Sequence, residues 1–198
     1  MRSLHACAVI LPLLAATAAC SLPPAPSASL PPDAVVGAGD PTRSAIFGTA
    51  AAFASPAALA NRPADAARAI ANLEYLAVEL PYGPRWAGIS PNVASELALA
   101  RNEARAALGI APGAPPQAVI DQLYGVSRAL RAGDQAAAER LLSPAVFQGG
   151  GAETLRRLAS LPPLPHANTA AVLAQFEVQR LDMLGDRHGG PGGGGAYH

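Results

Sequence analysis

Residues 61–80 read NRPADAARAIANLEYLAVEL, and this stretch carries the clearest fold signal in the chain. A proline at position 63, just behind Asn61 and Arg62, is typical of the first turn of a helix. Apolar side chains then recur with the period of a one-sided helix, at Ile70, Leu73, Leu76, Ala77 and Leu80. Because proline cannot continue a helix without losing a hydrogen bond, Pro81 predicts that this helix ends at Leu80.

Similar helix start signals occur before and after this stretch. Asp40-Pro41 and Ser90-Pro91 each pair a capping side chain with a proline at the first helical position. These and similar signals predict six further helices, over about residues 41–54, 91–108, 116–132, 135–142, 152–160 and 168–184. No segment longer than a few residues shows the alternation of a strand.

We therefore expect an all-α fold, a single irregular bundle of about five to seven helices over residues 41–185. Alanine is abundant, so the helices should pack closely along thin apolar stripes. In the first helix the apolar positions are Ile46, Phe47, Ala50 and Phe53. In the last helix we expect burial of Val172, Leu173, Phe176 and either Met183 or Leu184.

Both flanks of the bundle have the composition of unfolded chain. Residues 20–40 contain five prolines and no aromatic residue, which predicts a flexible tether able to reach roughly 60 Å. The alternative is an N-terminal arm that packs on the domain. The glycine-rich segment 186–198 is predicted to be a disordered tail.

The first 20 residues have the layout of a secretory signal: one cation at Arg2, an apolar run, and small residues at the end. Residues 16–20, ATAAC, resemble the lipobox of bacterial lipoproteins. The resemblance implies cleavage after residue 19 and a diacylglycerol thioether on Cys20, and Ser21 after the cysteine then favours the outer membrane. The alternative is ordinary cleavage at residues 16–18, which would leave a soluble periplasmic or secreted protein.

Cysteine usage favours the lipid anchor. The chain has two cysteines, and Cys7 is removed with the signal, so Cys20 keeps no disulfide partner within the chain. An unpaired thiol is a liability in an oxidising compartment, and acylation removes it. The membrane is therefore an expected partner of the chain through the lipid on Cys20.

Charge excludes one class of partner. All 14 basic residues are arginine, and loss of Arg2 with the signal leaves 13 arginines against 14 acidic residues. A nearly neutral chain without a basic tract has no electrostatic footprint for nucleic acid.

Catalytic and metal-binding patterns are weak. His166 is the only histidine in the predicted bundle, whereas a zinc site needs three or four ligands. Glu74, Glu79, Glu96 and Glu103 lie on two predicted helices, but none is followed by the histidine of a di-iron Glu-x-x-His motif. A pairing of His166 with Ser143 or Ser160 has no motif behind it. We predict no catalytic, metal or cofactor site.

The segment LPYGPRWAGISP, residues 80–91, is the candidate for partner binding. It brings Tyr82, Arg85 and the single Trp86 into one proline-stiffened loop, and these residue types dominate interaction hot spots. The alternative is structural, with Trp86 covering the end of the core and Arg85 pairing with a neighbour such as Glu79.

These observations lead to two functional hypotheses. The first is a membrane-tethered lipoprotein of the cell envelope that acts as a protein-interaction or structural module. The second is a binder of a small apolar or aromatic ligand in a pocket between helices. A cavity lined by apolar residues beside Trp86 would favour the second hypothesis, and a flat exposed aromatic patch would favour the first.

Overall fold

A computed structural model describes residues 26–35 and 39–188 of the chain. Within these residues the fold is all-α, with seven helices and no strand, as the sequence predicts. The helices are α1 (Pro41–Phe53), α2 (Pro63–Tyr82), α3 (Pro91–Leu108), α4 (Pro116–Arg131), α5 (Gln135–Leu141), α6 (Gly150–Ala159) and α7 (Pro165–His188). None of the helices in the described residues is long and apolar enough to cross a bilayer.

Capping side chains mark the starts of three helices, α1, α3 and α5. The Asp40 carboxylate accepts hydrogen bonds from the backbone N–H groups of Thr42 and Arg43, at 2.9 and 3.3 Å. The Ser90 hydroxyl accepts from Asn92 at the start of α3, and Asp134 accepts from Ala137 at the start of α5. These bonds satisfy amide groups that have no partner within the first turn of a helix.

Two helix ends lie beyond their predicted positions. α2 continues through Pro81 to Tyr82, because a proline in the last turn removes a single hydrogen bond, and the Gly83 N–H still reaches the Glu79 carbonyl at 2.8 Å. α7 continues past Gly185 to His188, since one glycine weakens a helix without stopping it. Residues 189–198 of the predicted tail lie outside the described residues.

α2 is the central helix. It packs against α1, α3, α4 and α6, and 13 of its 20 residues are buried. α7 packs on α1 and α3, which both pack on α2, and α4 packs on α2 as well. The apolar stripe of α3 is buried, at Val93, Leu97, Ala100, Ala104 and Leu108.

Residues 26–35 correct the prediction of a wholly flexible tether over residues 20–40. They form an arm that packs against α1 and accepts hydrogen bonds from side chains of α2 and α4, and Ala34 is buried. The Gln117 side chain accepts from the Ser29 N–H at 2.8 Å and donates to the Ser29 carbonyl at 3.1 Å, while Arg128 pairs with Asp33. The packed-arm alternative therefore describes this stretch, because a few fixed contacts compensate for its poor apolar content.

A buried ion pair joins α2 to α3. Glu74 is 2% exposed, and its carboxylate accepts from Arg105 Nε at 3.0 Å and from Arg101 Nε at 2.7 Å. Arg105 is itself buried and also donates to the carbonyls of Pro112 and Ala114, at 3.1 and 2.9 Å, in the turn before α4. One carboxylate and one guanidinium thus fix two helices and a turn.

We expect Glu74→Gln to lower the free energy of unfolding by about 3–5 kcal/mol, because Arg105 would keep a buried charge without its counter-ion. Urea denaturation followed by far-ultraviolet circular dichroism measures this loss. Glu153→Gln, which removes exposed ion pairs with Arg156 and Arg157 on α6, is the control and should cost far less. Equal losses in the two variants would contradict the assignment.

Candidate interaction surface

The predicted loop of Tyr82, Arg85 and Trp86 does not form a common surface. Trp86 is 5% exposed, and its indole N–H donates to the Glu79 carboxylate at 3.2 Å. Tyr82 ends α2 and is 56% exposed. Trp86 therefore belongs to the core, as the structural alternative had it, and Tyr82 is the exposed aromatic side chain of the loop.

Arg85 joins the loop to the start of α1. Its guanidinium lies 4.9 Å from the centre of the Trp86 ring and donates to the Asp40 carboxylate, so its ion-pair partner is Asp40 and not the expected Glu79. Burial alone would raise the pKa of the Asp40 carboxyl. Hydrogen bonds from Arg85 and from the Arg43 backbone outweigh burial and hold that pKa below its usual value. The contacts of Arg85 are those of a residue that connects helices.

The prediction for the last helix is wrong in its orientation. The buried face of α7 is lined by small residues: Ala167, Ala170, Ala171, Ala174 and Val178. The residues expected to be buried face outward, with Phe176 64% and Met183 61% exposed. The small side chains let α7 lie close to α1 and α3, so the larger ones are left on the opposite side of the helix.

The exposed side of α7 carries large apolar side chains along its length, interrupted by Gln179 and the exposed Arg180. We define the α7 outer face as Val172, Leu173, Phe176, Met183 and Leu184. These are five of the nine large apolar side chains exposed in the described part of the chain. Phe47 on α1 and Leu99 on α3, 41% and 47% exposed, lie on the two helices that flank α7.

Two contacts set how α7 lies on α1. Arg43 near the start of α1 pairs with Asp182 near the end of α7, while the Asn168 side chain donates to the Phe53 carbonyl at 2.7 Å at the other end. The two helices are therefore antiparallel, and Phe47 is roughly level with Phe176. With about 150–250 Å² for a whole aromatic side chain, the outer face and Phe47 expose on the order of 500 Å², which is near the upper end of what monomeric proteins show.

The charged side chains on and beside this face are paired. Arg180 donates to the Glu177 carboxylate at 2.6 and 2.9 Å and to the Gly88 carbonyl at 3.1 Å. The Ser90 N–H also donates to Glu177, at 2.8 Å. The hydrogen bond from Arg180 lowers the pKa of Glu177 despite its burial, so this carboxylate stays charged at neutral pH. Arg180 therefore lies on the face, between Phe176 and Met183, and Glu177 balances its charge.

The glutamates considered for a di-iron site have other uses. Glu96 lies 2.7 Å from His166 Nδ1, and this hydrogen bond raises the pKa of the histidine. Glu103 accepts from the Ala167 N–H at 3.0 Å, while Glu74 and Glu79 bind Arg105 and Trp86 as described above. No group of three metal-ligating side chains occurs in residues 26–35 and 39–188.

The structure does not assemble the conceivable His166 and serine pair. The Ser160 hydroxyl donates to the Arg156 carbonyl at 3.1 Å, and the Ser143 hydroxyl accepts from the Ala145 N–H at 3.3 Å. Both hydroxyls therefore serve local turns, and His166 bonds to a carboxylate on α3.

One apolar cleft lies at the other end of α1 from the loop of Trp86. Its volume is about 350 Å³, and it is bounded by the end of α1 and the proline-rich connection between α6 and α7. Its apolar walls are formed by Phe53, Leu59, Leu161 and Leu164 together with neighbouring prolines. It has room for a small apolar molecule.

No protein-family model, curated protein or solved structure matches this chain. Its function is therefore argued from the surfaces described above.

The orientation of α7 can be tested by stability. Ala174→Leu should lower the free energy of unfolding by about 1–3 kcal/mol, because it forces a larger side chain into a closed helix contact. Phe176→Ser should change it by only about 0.5 kcal/mol, since it removes an exposed group. Thermal or urea unfolding of the two variants measures both, and a larger loss for Phe176→Ser would contradict the observed orientation.

Proposed function

We propose that this chain is a lipid-anchored lipoprotein of the cell envelope and acts as a protein-interaction or structural module. The α7 outer face is the surface that binds an envelope protein. The observation that carries the proposal is the exposure of Phe176 and Met183 on one side of α7, since exposed apolar surface of this size is often functional. This surface replaces the loop of Tyr82, Arg85 and Trp86 as the main candidate.

The membrane anchor is supported by the sequence of residues 16–20, and Cys20 itself lies outside the described residues. The docked arm changes what such an anchor does. Pro26 is six residue steps from Cys20, so the lipid can be at most about 20 Å from the start of the arm. While the arm is docked, the domain stays close to the membrane, well within the roughly 60 Å expected for a free tether.

We expect Cys20→Ser to abolish labelling by a radioactive fatty acid and to move the chain from the membrane to the soluble fraction of the cell. Cys7→Ser is the matched control, because Cys7 is removed with the signal and should not affect either property. Mass spectrometry of the mature N-terminus provides a direct check. A free Cys20 thiol in the wild-type chain would contradict the anchor and support ordinary signal cleavage.

The interaction surface is tested by crosslinking and affinity purification from solubilised envelopes. We expect the wild-type chain to capture a specific envelope protein and the double variant Phe176→Ser, Met183→Ser to lose it at least tenfold, because the apolar centre of the contact becomes polar. Leu141→Ser on α5 is the control, since Leu141 is also exposed, at 40%, but lies away from α7.

A second pair of variants separates the two candidate surfaces. Tyr82→Ser removes the exposed aromatic side chain of the loop and should leave capture unchanged. If Tyr82→Ser loses the partner and the α7 variant still captures it, the binding site is the loop and not the α7 outer face.

The cleft of Phe53, Leu59, Leu161 and Leu164 supports the alternative, a binder of a small apolar or aromatic ligand. It is open at the surface, and no polar cluster in its walls marks the orientation of a ligand, so we rank it second. If the wild-type chain captures no protein, the cleft becomes the better candidate.

A further inference from the structure

We infer that one end of the bundle faces the lipid bilayer and that Tyr82 contacts the headgroup region there. We define the anchor end as Tyr82, the loop of residues 83–90 and Pro116 at the start of α4. This inference rests on the proposed function, because it starts from the lipid on Cys20. The partner of the anchor end is a lipid surface, and the α7 outer face remains the surface for a protein.

The docked arm runs toward the start of α4. Asp33 pairs with Arg128 near the end of α4, whereas Ser29 is held by Gln117 in the first turn of that helix. The arm is therefore antiparallel to α4. Pro26 is three residue steps before Ser29, so it lies within about 10 Å of it. The chain thus leaves the arm, on its way to Cys20, near the start of α4.

The start of α4 lies beside the end of α2. Arg131 at the end of α4 pairs with Asp65 at the start of α2, and the Tyr124 hydroxyl donates to the Asn72 side chain halfway along both helices. These contacts make the two helices antiparallel. The arm therefore points to the end of the bundle that carries Tyr82. The start of α2 marks the opposite end, about 30 Å away, because α2 has 20 residues.

The short segment between the arm and Cys20 decides which end faces the membrane. Six flexible residue steps span only about 13 Å on average and about 20 Å when fully extended. Since the arm leaves the bundle near the anchor end, the lipid on Cys20 stays close to that end. To bring the opposite end to the bilayer, the segment would have to extend fully back along the bundle, which costs conformational entropy. The anchor end is therefore the one that meets the membrane.

The side chains of the anchor end suit a headgroup region. Tyr82 is 56% exposed, and Pro84 and Ala87 beside it are exposed as well. Tyrosine is enriched at the boundary between bilayer and water, because it combines an apolar ring with a polar hydroxyl. Arg85 is paired with Asp40, so it adds little attraction for anionic lipids. A surface this small binds a bilayer weakly by itself, and the contact depends on the lipid on Cys20.

This orientation sets the height of the α7 outer face above the membrane. α7 ends beside the start of α1, because Asp182 pairs with Arg43, and Arg85 joins the start of α1 to the anchor end. Met183 is therefore the part of the face nearest to the bilayer, and Phe176 lies about 10 Å farther along the helix. An envelope protein that binds this face should present its own apolar site close to the membrane surface.

The test measures how close each end of the bundle comes to lipid. The mature chain is purified with its lipid and placed in vesicles of phosphatidylcholine and phosphatidylglycerol that carry a nitroxide quencher on some headgroups. A thiol-reactive fluorophore is attached to Ala87→Cys at the anchor end or to Ser160→Cys at the opposite end. Both positions are exposed, and Ser160 follows Ala159, whose carbonyl accepts from Asn61 just before α2. We expect at least threefold stronger quenching at position 87.

Two further variants test the parts of the inference in the Ala87→Cys chain. Tyr82→Ser should lower the quenching at least twofold, because it removes the side chain that contacts the headgroups. Gln117→Ala combined with Arg128→Ala removes the contacts that hold the arm, and it should also lower the quenching at least twofold. The matched control is Gln135→Ala combined with Arg140→Ala, two exposed side chains of α5, which should change nothing. Circular dichroism checks that each variant folds.

The outcomes separate this inference from the proposed function. Equal quenching at positions 87 and 160, or stronger quenching at 160, would show that the orientation is wrong, while the anchor and the α7 outer face would still stand. Quenching that does not change when Tyr82 is replaced or the arm is released would also overturn the inference. A purified chain whose Cys20 carries no lipid by mass spectrometry would refute the anchor, and the inference would fail with it.

Discussion

The buried carboxylate of Glu74 is the constraint on which the rest of the bundle depends. At 2% exposure it needs charged partners, and it obtains them from two arginines of α3. Arg105 in turn donates to the turn before α4, so a single network sets the positions of α2, α3 and the start of α4. Because α1 packs on α2, and α7 packs on α1 and α3, the positions of α1 and α7 follow from the Glu74–Arg105 ion pair. A polar interaction therefore positions helices whose apolar stripes, rich in alanine, give few large side chains to align them.

Much of the fold could be predicted from the sequence, because proline and capping residues mark where the helices begin. Asp40, Ser90 and Asp134 cap α1, α3 and α5 as expected. The arm of residues 26–35 could not be predicted, since it is held by the contacts of Gln117, Arg128 and Arg68 with a segment far away in sequence. The composition of a segment shows whether it can form a core of its own. It does not show whether another part of the chain will bind the segment.

The candidate surface was missed for a different reason. Apolar residues recur at helical spacing on both faces of α7, and the sequence prediction assigns the larger side chains of Val172 and Phe176 to the core. Ala167, Ala170, Ala174 and Val178 recur with the same period. This stripe indicates the buried face, because small residues let helices approach closely. Glu177 lies beside this stripe and is also buried, which period alone could not show, since its burial depends on the Ser90 N–H and on Arg180.

The arm and the α7 outer face act together if Cys20 carries the lipid. A docked arm keeps the domain within about 20 Å of the membrane. The domain and an envelope protein held in the same membrane therefore meet by moving sideways in that plane. A small apolar face that is too weak to hold two chains together in dilute solution can then be sufficient, because confinement raises the local concentration of partners. The modest size of the face is thus consistent with a tethered protein, whereas a freely diffusing protein would need a larger interface for the same occupancy.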